Sequence, residues 1–162
     1  GLRNHDEIGL WRSLLDPQVS QQIKDDRGQS GGLPESAFFV IAGDMNADPL
    51  DGDSTNHAMD QLLNHSLINA SLIPASSGGA EASQLQGGKN LQHQGLPQHD
   101  TTDFDDQQGP GNLRVDYVLP SRNIQLKAGG VFWPKQGELG ADWVKTSDHR
   151  MVWVDIVLPL GE

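Results

Sequence analysis

Ala37-Phe38-Phe39-Val40-Ile41-Ala42-Gly43-Asp44-Met45-Asn46-Ala47-Asp48-Pro49 is the stretch on which the reading of this chain turns. A short, uninterrupted run of apolar, β-favouring side chains ends on a glycine, and an acid and an amide follow at alternate positions. Side chains on a strand alternate between its faces, so a run apolar at every position predicts a strand buried on both faces over 37–42. In sheets of this kind, ligands collect in the crevice just past the strand ends. Asp44 and Asn46 stand at that place, where both can point into one crevice. An Asx-rich turn closed by Pro49 explains the same residues equally well.

Upstream, Asn4-His5-Asp6-Glu7 precedes Ile8, Leu10, Trp11, Leu14 and Leu15. The apolar spacing predicts an amphipathic helix with Asn4 as N-cap and acids in its first turn, ended by Asp16-Pro17. Residues 16–36 read as loop with one helical turn around 19–24. Downstream, a second helix is predicted over about 54–64, with Ala58, Met59, Leu62 and Leu63 on one face. Residues 74–112 are rich in Ser, Gly, Gln and His, and they predict a long surface loop with little regular structure. Strands are predicted over 113–119, 124–132 and 151–158; in the last, Val152, Val154, Ile156 and Leu158 share a face opposite Trp153. No internal repeat is present.

The 162 residues suffice for one domain with a modest core. A mean hydropathy of −0.51 and 19 Gly indicate long loops rather than disorder, because compact apolar runs are present. The formal net charge of −11 repels nucleic-acid phosphates in general and argues against a processive DNA binder. Without cysteine there is no disulfide and no thiolate metal site. No apolar run reaches the length of a membrane span. The opening Gly1-Leu2-Arg3 reads as an internal boundary rather than an initiator or signal segment.

Two further motifs lie at strand edges. In Arg114-Val115-Asp116-Tyr117-Val118-Leu119 an acid sits within an apolar strand, where an ionised carboxylate is costly unless paired. Arg114, two residues away on the same face, is one available partner. Ser147-Asp148-His149 comes directly before the last strand and offers a carboxylate beside an imidazole. Taken singly, it is an ordinary turn into a strand.

In order and spacing, GDMN, RVDYVL and SDH together resemble the endonuclease/exonuclease/phosphatase family, over roughly 37–158. Asn112–Ser121 and Gly129–Pro134 further resemble a bacterial, often secreted subgroup, which implies a secreted or periplasmic protein. The resemblance implies an α/β (α+β) fold, a four-layer sandwich of two packed mixed sheets with helices outside. Residues 1–162 would then be the C-terminal portion of a single domain whose N-terminal half is missing from the chain. It also implies divalent-metal-dependent hydrolysis of phosphate esters by an activated water, as a phosphodiesterase, nuclease or phosphatase.

By that resemblance Asp44 orients or deprotonates the water, and Asn46 hydrogen-bonds the phosphate or the water. Asp148 binds the metal, His149 contacts the phosphate, and Asp116 holds His149. Asp and Asn oxygens are hard donors suited to Mg²⁺, or to Mn²⁺ or Ca²⁺. The implied partners are a phosphoester substrate, including nucleic acid, and the N-terminal half of the same domain; a fragment lacking that half is expected to self-associate. The family's upstream Asn, its metal-binding Glu and its upstream His or Tyr have no counterpart here, since His5 and Glu7 read as helix-surface residues.

Two rival readings stand beside the hydrolase. One is a non-catalytic family member acting as an interaction module. The other is a metal-binding loop built on His93, His99, Asp100 and Asp103, although a polar loop scatters such residues anyway. Asp48, Asp51 and Asp53 do not fit an EF-hand loop.

Overall fold

A computed structural model describes residues 1–158. The elements run α1 (Leu2–Leu15), β1 (Val40–Asp44), α2 (Asp60–Leu63), α3 (Ser77–Gln86), β2 (Asp116–Pro120), β3 (Gln125–Phe132) and β4 (Met151–Val157), with single turns of 3-10 helix between them. The fold is mixed α/β, with two small antiparallel sheets among the described residues, β1–β2 and β3–β4. The β1–β2 register sets Ile41 against Leu119 and Asp44 against Asp116. Antiparallel pairing therefore carries the end of one motif strand to the start of the other.

The main core lies between that sheet and the first two helices. Ile41 from β1 and Tyr117 and Leu119 from β2 meet Ile8 and Leu15 of α1 and Met59 and Leu62 around α2. Met59 and Leu62 are completely buried, and each stabilises the fold by about 2 kcal/mol through its removal from water. Tyr117 crosses this core to place its hydroxyl 2.9 Å from the Ala47 carbonyl and 2.8 Å from that of Arg114. Its O–H thus ties the turn after β1 to the entry of β2.

Four local expectations are corrected. The strand expected over 37–42 begins at Val40 and is not buried on both faces. Ile41 faces the core, whereas Phe38 and Val40 on the other face are 55% and 45% exposed, because helices cover only one side of the sheet. Helix α1 starts before Asn4, with Gly1 as N-cap, so Asn4 is free to donate from Nδ2 to the Asn46 carbonyl at 2.9 Å. The helix expected over 54–64 is broken by Asn56, whose φ of 52° is left-handed; a 3-10 turn at Thr55–His57 precedes the single turn of α2.

The fourth correction concerns 74–112, which contains the ten-residue helix α3 and several fully buried residues. Ser76 caps it, accepting a hydrogen bond from the Gly79 amide at 3.0 Å. Gly78 lets its first turn press against the end of β3, donating to the Trp133 carbonyl at 3.0 Å. A Cβ at position 78 would lie 2.1 Å from that same oxygen. The glycines that lower helix propensity are required by packing.

Candidate active site

The turn after β1 is built from its own polar side chains. Asp44 Oδ1 accepts the Asn46 amide at 2.7 Å, and Asn46 takes a φ of 49°, a left-handed conformation Asn tolerates. Asp48 is 7% exposed, and its two oxygens accept the amides of Leu50, Asp51 and Arg114 at 2.7 to 2.9 Å. It therefore fastens the turn to β2. Asp51 accepts the Gln94 and Gly95 amides, both at 2.8 Å, so it too is spent on backbone.

Asp44, Asp116 and His149 come together: one ligand-type atom from each lies within 4.8 Å of the others. Asp116 is positioned by its place opposite Asp44 in the ladder. His149 is positioned just before β4, its amide donating to Ser147 Oγ at 3.0 Å. The Asp116 carboxylate receives His149 Nδ1, at 2.9 Å to Oδ2 and 3.2 Å to Oδ1. Arg114 is not the partner of Asp116. Its guanidinium sits 4.7 Å over the Tyr117 ring instead.

Burial alone would lower the pKa of His149. The hydrogen bond and charge of Asp116, with the charges of Asp44 and Asp148, outweigh burial and raise it above the ordinary value. The raised value favours the imidazolium, whose Nδ1–H is held by Asp116. The edge of Phe104 packs against the ring, with centroids 5.8 Å apart, and limits its rotation.

Asn46 and Asp148 are placed differently. Asn46 is exposed beside Asp44, and its side chain makes no hydrogen bond among the described residues. Asp148 is exposed and stands outside the three-residue group, lining a broad cleft on its other side. Its carboxylate accepts no hydrogen bond among the described residues, so its oxygens are open to a cation. His5 and Glu7 lie on α1, Glu7 paired with Arg3 at 2.9 Å.

The segment Thr101-Thr102-Asp103-Phe104, set aside in the sequence as part of a polar loop, holds this site together. Thr101 Oγ1 accepts the Val115 and Asp116 amides, each at 3.0 Å, and the Thr101 carbonyl accepts the Arg150 amide at 2.8 Å. The Asp103 amide donates to the Asp148 carbonyl at 2.8 Å, and Thr102 bridges to His149. One strap thereby joins the entry of β2 to the entry of β4 and fixes Asp116 relative to His149. Asp103 also receives Arg150 at 2.6 Å. The only signal in the sequence was a pair of β-branched hydroxyl residues between acids.

The remaining loop residues offered as metal ligands are occupied structurally. His93 Nε2 meets the Pro110 carbonyl and His99 Nδ1 that of Pro74, both at 2.9 Å. Among the described residues they form no cluster of ligand atoms.

Strand-edge acids, an Asp–His pair and an amide-bearing turn thus meet on a mixed α/β scaffold. The chain matches the Endonuclease/Exonuclease/phosphatase family over residues 7–149 and belongs to that family, whose members are generally phosphoester hydrolases that typically use divalent metals. No curated protein and no solved structure gives a significant match.

Proposed function

We propose that the chain carries the phosphate-binding and water-activating part of a divalent-metal-dependent phosphoesterase. The observation that supports this most is the convergence of Asp44, Asp116 and His149, with His149 Nδ1 on the Asp116 carboxylate. His149, in the protonated form that Asp116 favours, donates from Nε2 to a phosphoryl oxygen and stabilises the charge that builds there. Asp116 fixes the ring and its charge. The free oxygen of Asp44 accepts a proton from the attacking water, and the Asn46 amide orients that water or the phosphate.

Asp116 is committed to His149, so the three-residue group fits an acid–base pair with a neighbouring carboxylate better than a closed metal cage. The open Asp148 carboxylate fits a hard cation that keeps most of its water, as Mg²⁺ does. Bound there, the cation would supply Lewis-acid stabilisation of the phosphoryl oxygens.

We further propose that the functional domain is the family's four-layer sandwich, completed by an N-terminal half. The exposed Val40 on the outer face of β1, the exposed Phe38 just before it, and the absence of the family's metal-binding Glu support this. The test is Mg²⁺-dependent hydrolysis of bis(4-nitrophenyl) phosphate by the chain together with that half, with and without EDTA. Absence of metal-dependent turnover would leave the interaction-module reading in its place.

A further inference from the structure

Arg150 follows directly on Ser147-Asp148-His149, and its side chain is 2% exposed. A charge buried this deeply needs partners, and Arg150 finds them behind the site. Its guanidinium lies 4.4 Å over the Trp133 ring, and Nη2 donates to Asp103 Oδ2 at 2.6 Å. Nη1 donates to the Ser147 carbonyl at 2.6 Å and to the His149 carbonyl at 3.3 Å. Asp103 is held in turn by Gln86 of α3, whose Nε2 donates to Asp103 Oδ1 at 2.6 Å. Gln86 Oε1 accepts from Asn90 and Asn112 at 3.2 and 2.9 Å. The Arg150 Nε–H is buried without an acceptor, so the placement that serves the two carbonyls leaves one donor unsatisfied.

The backbone of the corner is thereby tied from behind. Arg150 takes the carbonyls of Ser147 and His149, and the Asp103 amide takes that of Asp148 at 2.8 Å. The two functional side chains differ in what else holds them. The His149 ring has Asp116 at 2.9 Å and the edge of Phe104 against it. The exposed Asp148 carboxylate accepts no hydrogen bond among the described residues, so only its backbone sets its direction.

We propose that Arg150 is a positioning residue of this site. It fixes the direction in which the Asp148 carboxylate leaves the corner, and with it the spacing between that carboxylate and His149. It touches neither substrate nor cation. The inference rests on the phosphoesterase reading for what Asp148 holds, a hard divalent cation. Groups that orient a metal ligand from behind carry about tenfold or more of the affinity. Charge alone does not replace them: a lysine keeps the charge, but a single ammonium cannot reproduce the flat fork that spans Asp103 and the Ser147 carbonyl. A purely structural arginine would lower stability when replaced and leave cation affinity as it is.

The probe is Mn²⁺, titrated into the ¹⁵N-labelled 162-residue chain, with paramagnetic broadening of the Asp148 amide as the readout. Arg150→Lys should weaken Mn²⁺ binding about tenfold, while the His149 ring resonances at fixed pH stay in place because Asp116 still holds the ring. Broadening that does not saturate in the wild type overturns the proposal, and so does a lowered urea midpoint with unchanged Mn²⁺ affinity. If Arg150→Lys does not fold, Gln86→Met carries the test, being uncharged and two side chains removed from Asp148. It should weaken Mn²⁺ in the same direction, and affinity within about twofold of wild type overturns the proposal. With the N-terminal half present, Arg150→Lys should raise the Mg²⁺ concentration for half-maximal hydrolysis of bis(4-nitrophenyl) phosphate about tenfold. The kcat at saturating Mg²⁺ should stay within roughly threefold of wild type. A fall in kcat with unchanged Mg²⁺ dependence overturns the positioning role and leaves the phosphoesterase standing. Weakened Mn²⁺ binding in the variant, with no turnover even by the wild type, supports the positioning role and sinks the phosphoesterase.

Discussion

His149 Nδ1 lies 2.9 Å from Asp116 Oδ2 across a sequence separation of 33, and the chain between them is folded so that this pair sits beside Asp44. Asp116→Asn keeps the shape and removes the charge that favours the imidazolium. The His149 pKa should fall towards the ordinary value of about 6.5, as NMR titration of its ring protons would show. Because the native value is raised, the pair's contribution to stability is complete below the unfolded-state pKa. It is lost as pH rises through the raised value, and that loss should vanish in the variant. An unchanged His149 titration would mean the hydrogen bond does not govern the ring.

Asp44→Ala and His149→Ala, made in the protein with its N-terminal half, should each lower kcat for a phosphodiester by about 10²–10³. Asp44 is exposed, so the urea midpoint of Asp44→Ala should move little, whereas His149→Ala should also lose the stability its pair with Asp116 contributes. Their combined loss should fall short of the product of the single losses, because the residues act on one transition state. Single-turnover hydrolysis of bis(4-nitrophenyl) phosphate checks this, and wild-type rates in either variant would remove these residues from the mechanism.

Asp100 is 7% exposed. Burial first, then the nearby charges of Asp48 and Asp51, push its pKa up to about 8. The folded chain thus keeps a proton that the unfolded chain releases near pH ~4. Stability must therefore fall as pH rises between those values, by on the order of 2 kcal/mol from pH ~6 to ~8, or roughly 5 °C in Tm. Asp100→Asn resembles the protonated acid and should flatten that slope in thermal melts. A slope that survives in the variant would assign it to another group.

Gly78→Ala should destabilise the fold by about 2 kcal/mol or more, despite the better helix propensity of Ala, because its Cβ meets the Trp133 carbonyl. Ala80 provides the control, since Ala80→Gly should cost only about 1 kcal/mol through propensity. Urea unfolding of both variants gives the comparison. A neutral or stabilising Gly78→Ala would show that α3 does not dock as closely as its hydrogen bond implies.

The 162-residue chain by itself should hydrolyse phosphodiesters far more slowly than the same chain joined by a segment supplying a metal-binding Glu. One open carboxylate, Asp148, binds Mg²⁺ weakly because the ion gives up its water reluctantly. The exposed β1 face should also make the isolated chain self-associate, which sedimentation velocity detects. Equal Mg²⁺-dependent rates with and without the added segment would refute the requirement.

How much was legible in the sequence depended on the range of the interactions involved. Ile41, Tyr117 and Val154 sit in strands because local apolar, β-favouring patterns put them there, and GDMN, RVDYVL and SDH marked three strand edges as one family's site. From residue spacing alone the partner of Asp116 was not legible, and only the family resemblance implied His149. Arg114 stood two residues away, yet the antiparallel register and the Thr101–Asp103 strap delivered His149 instead. Nor was α3, whose Ser-Gly-Gly start looks like loop until Trp133 arrives to dock on Gly78. Hydrophobic periodicity and turn chemistry act over a few neighbouring residues, so the sequence alone determined the strands, the first helix and the chemical types at their edges. Pairing, burial and pKa shift depend on which distant groups exclude water from one another, and only the tertiary structure decided those.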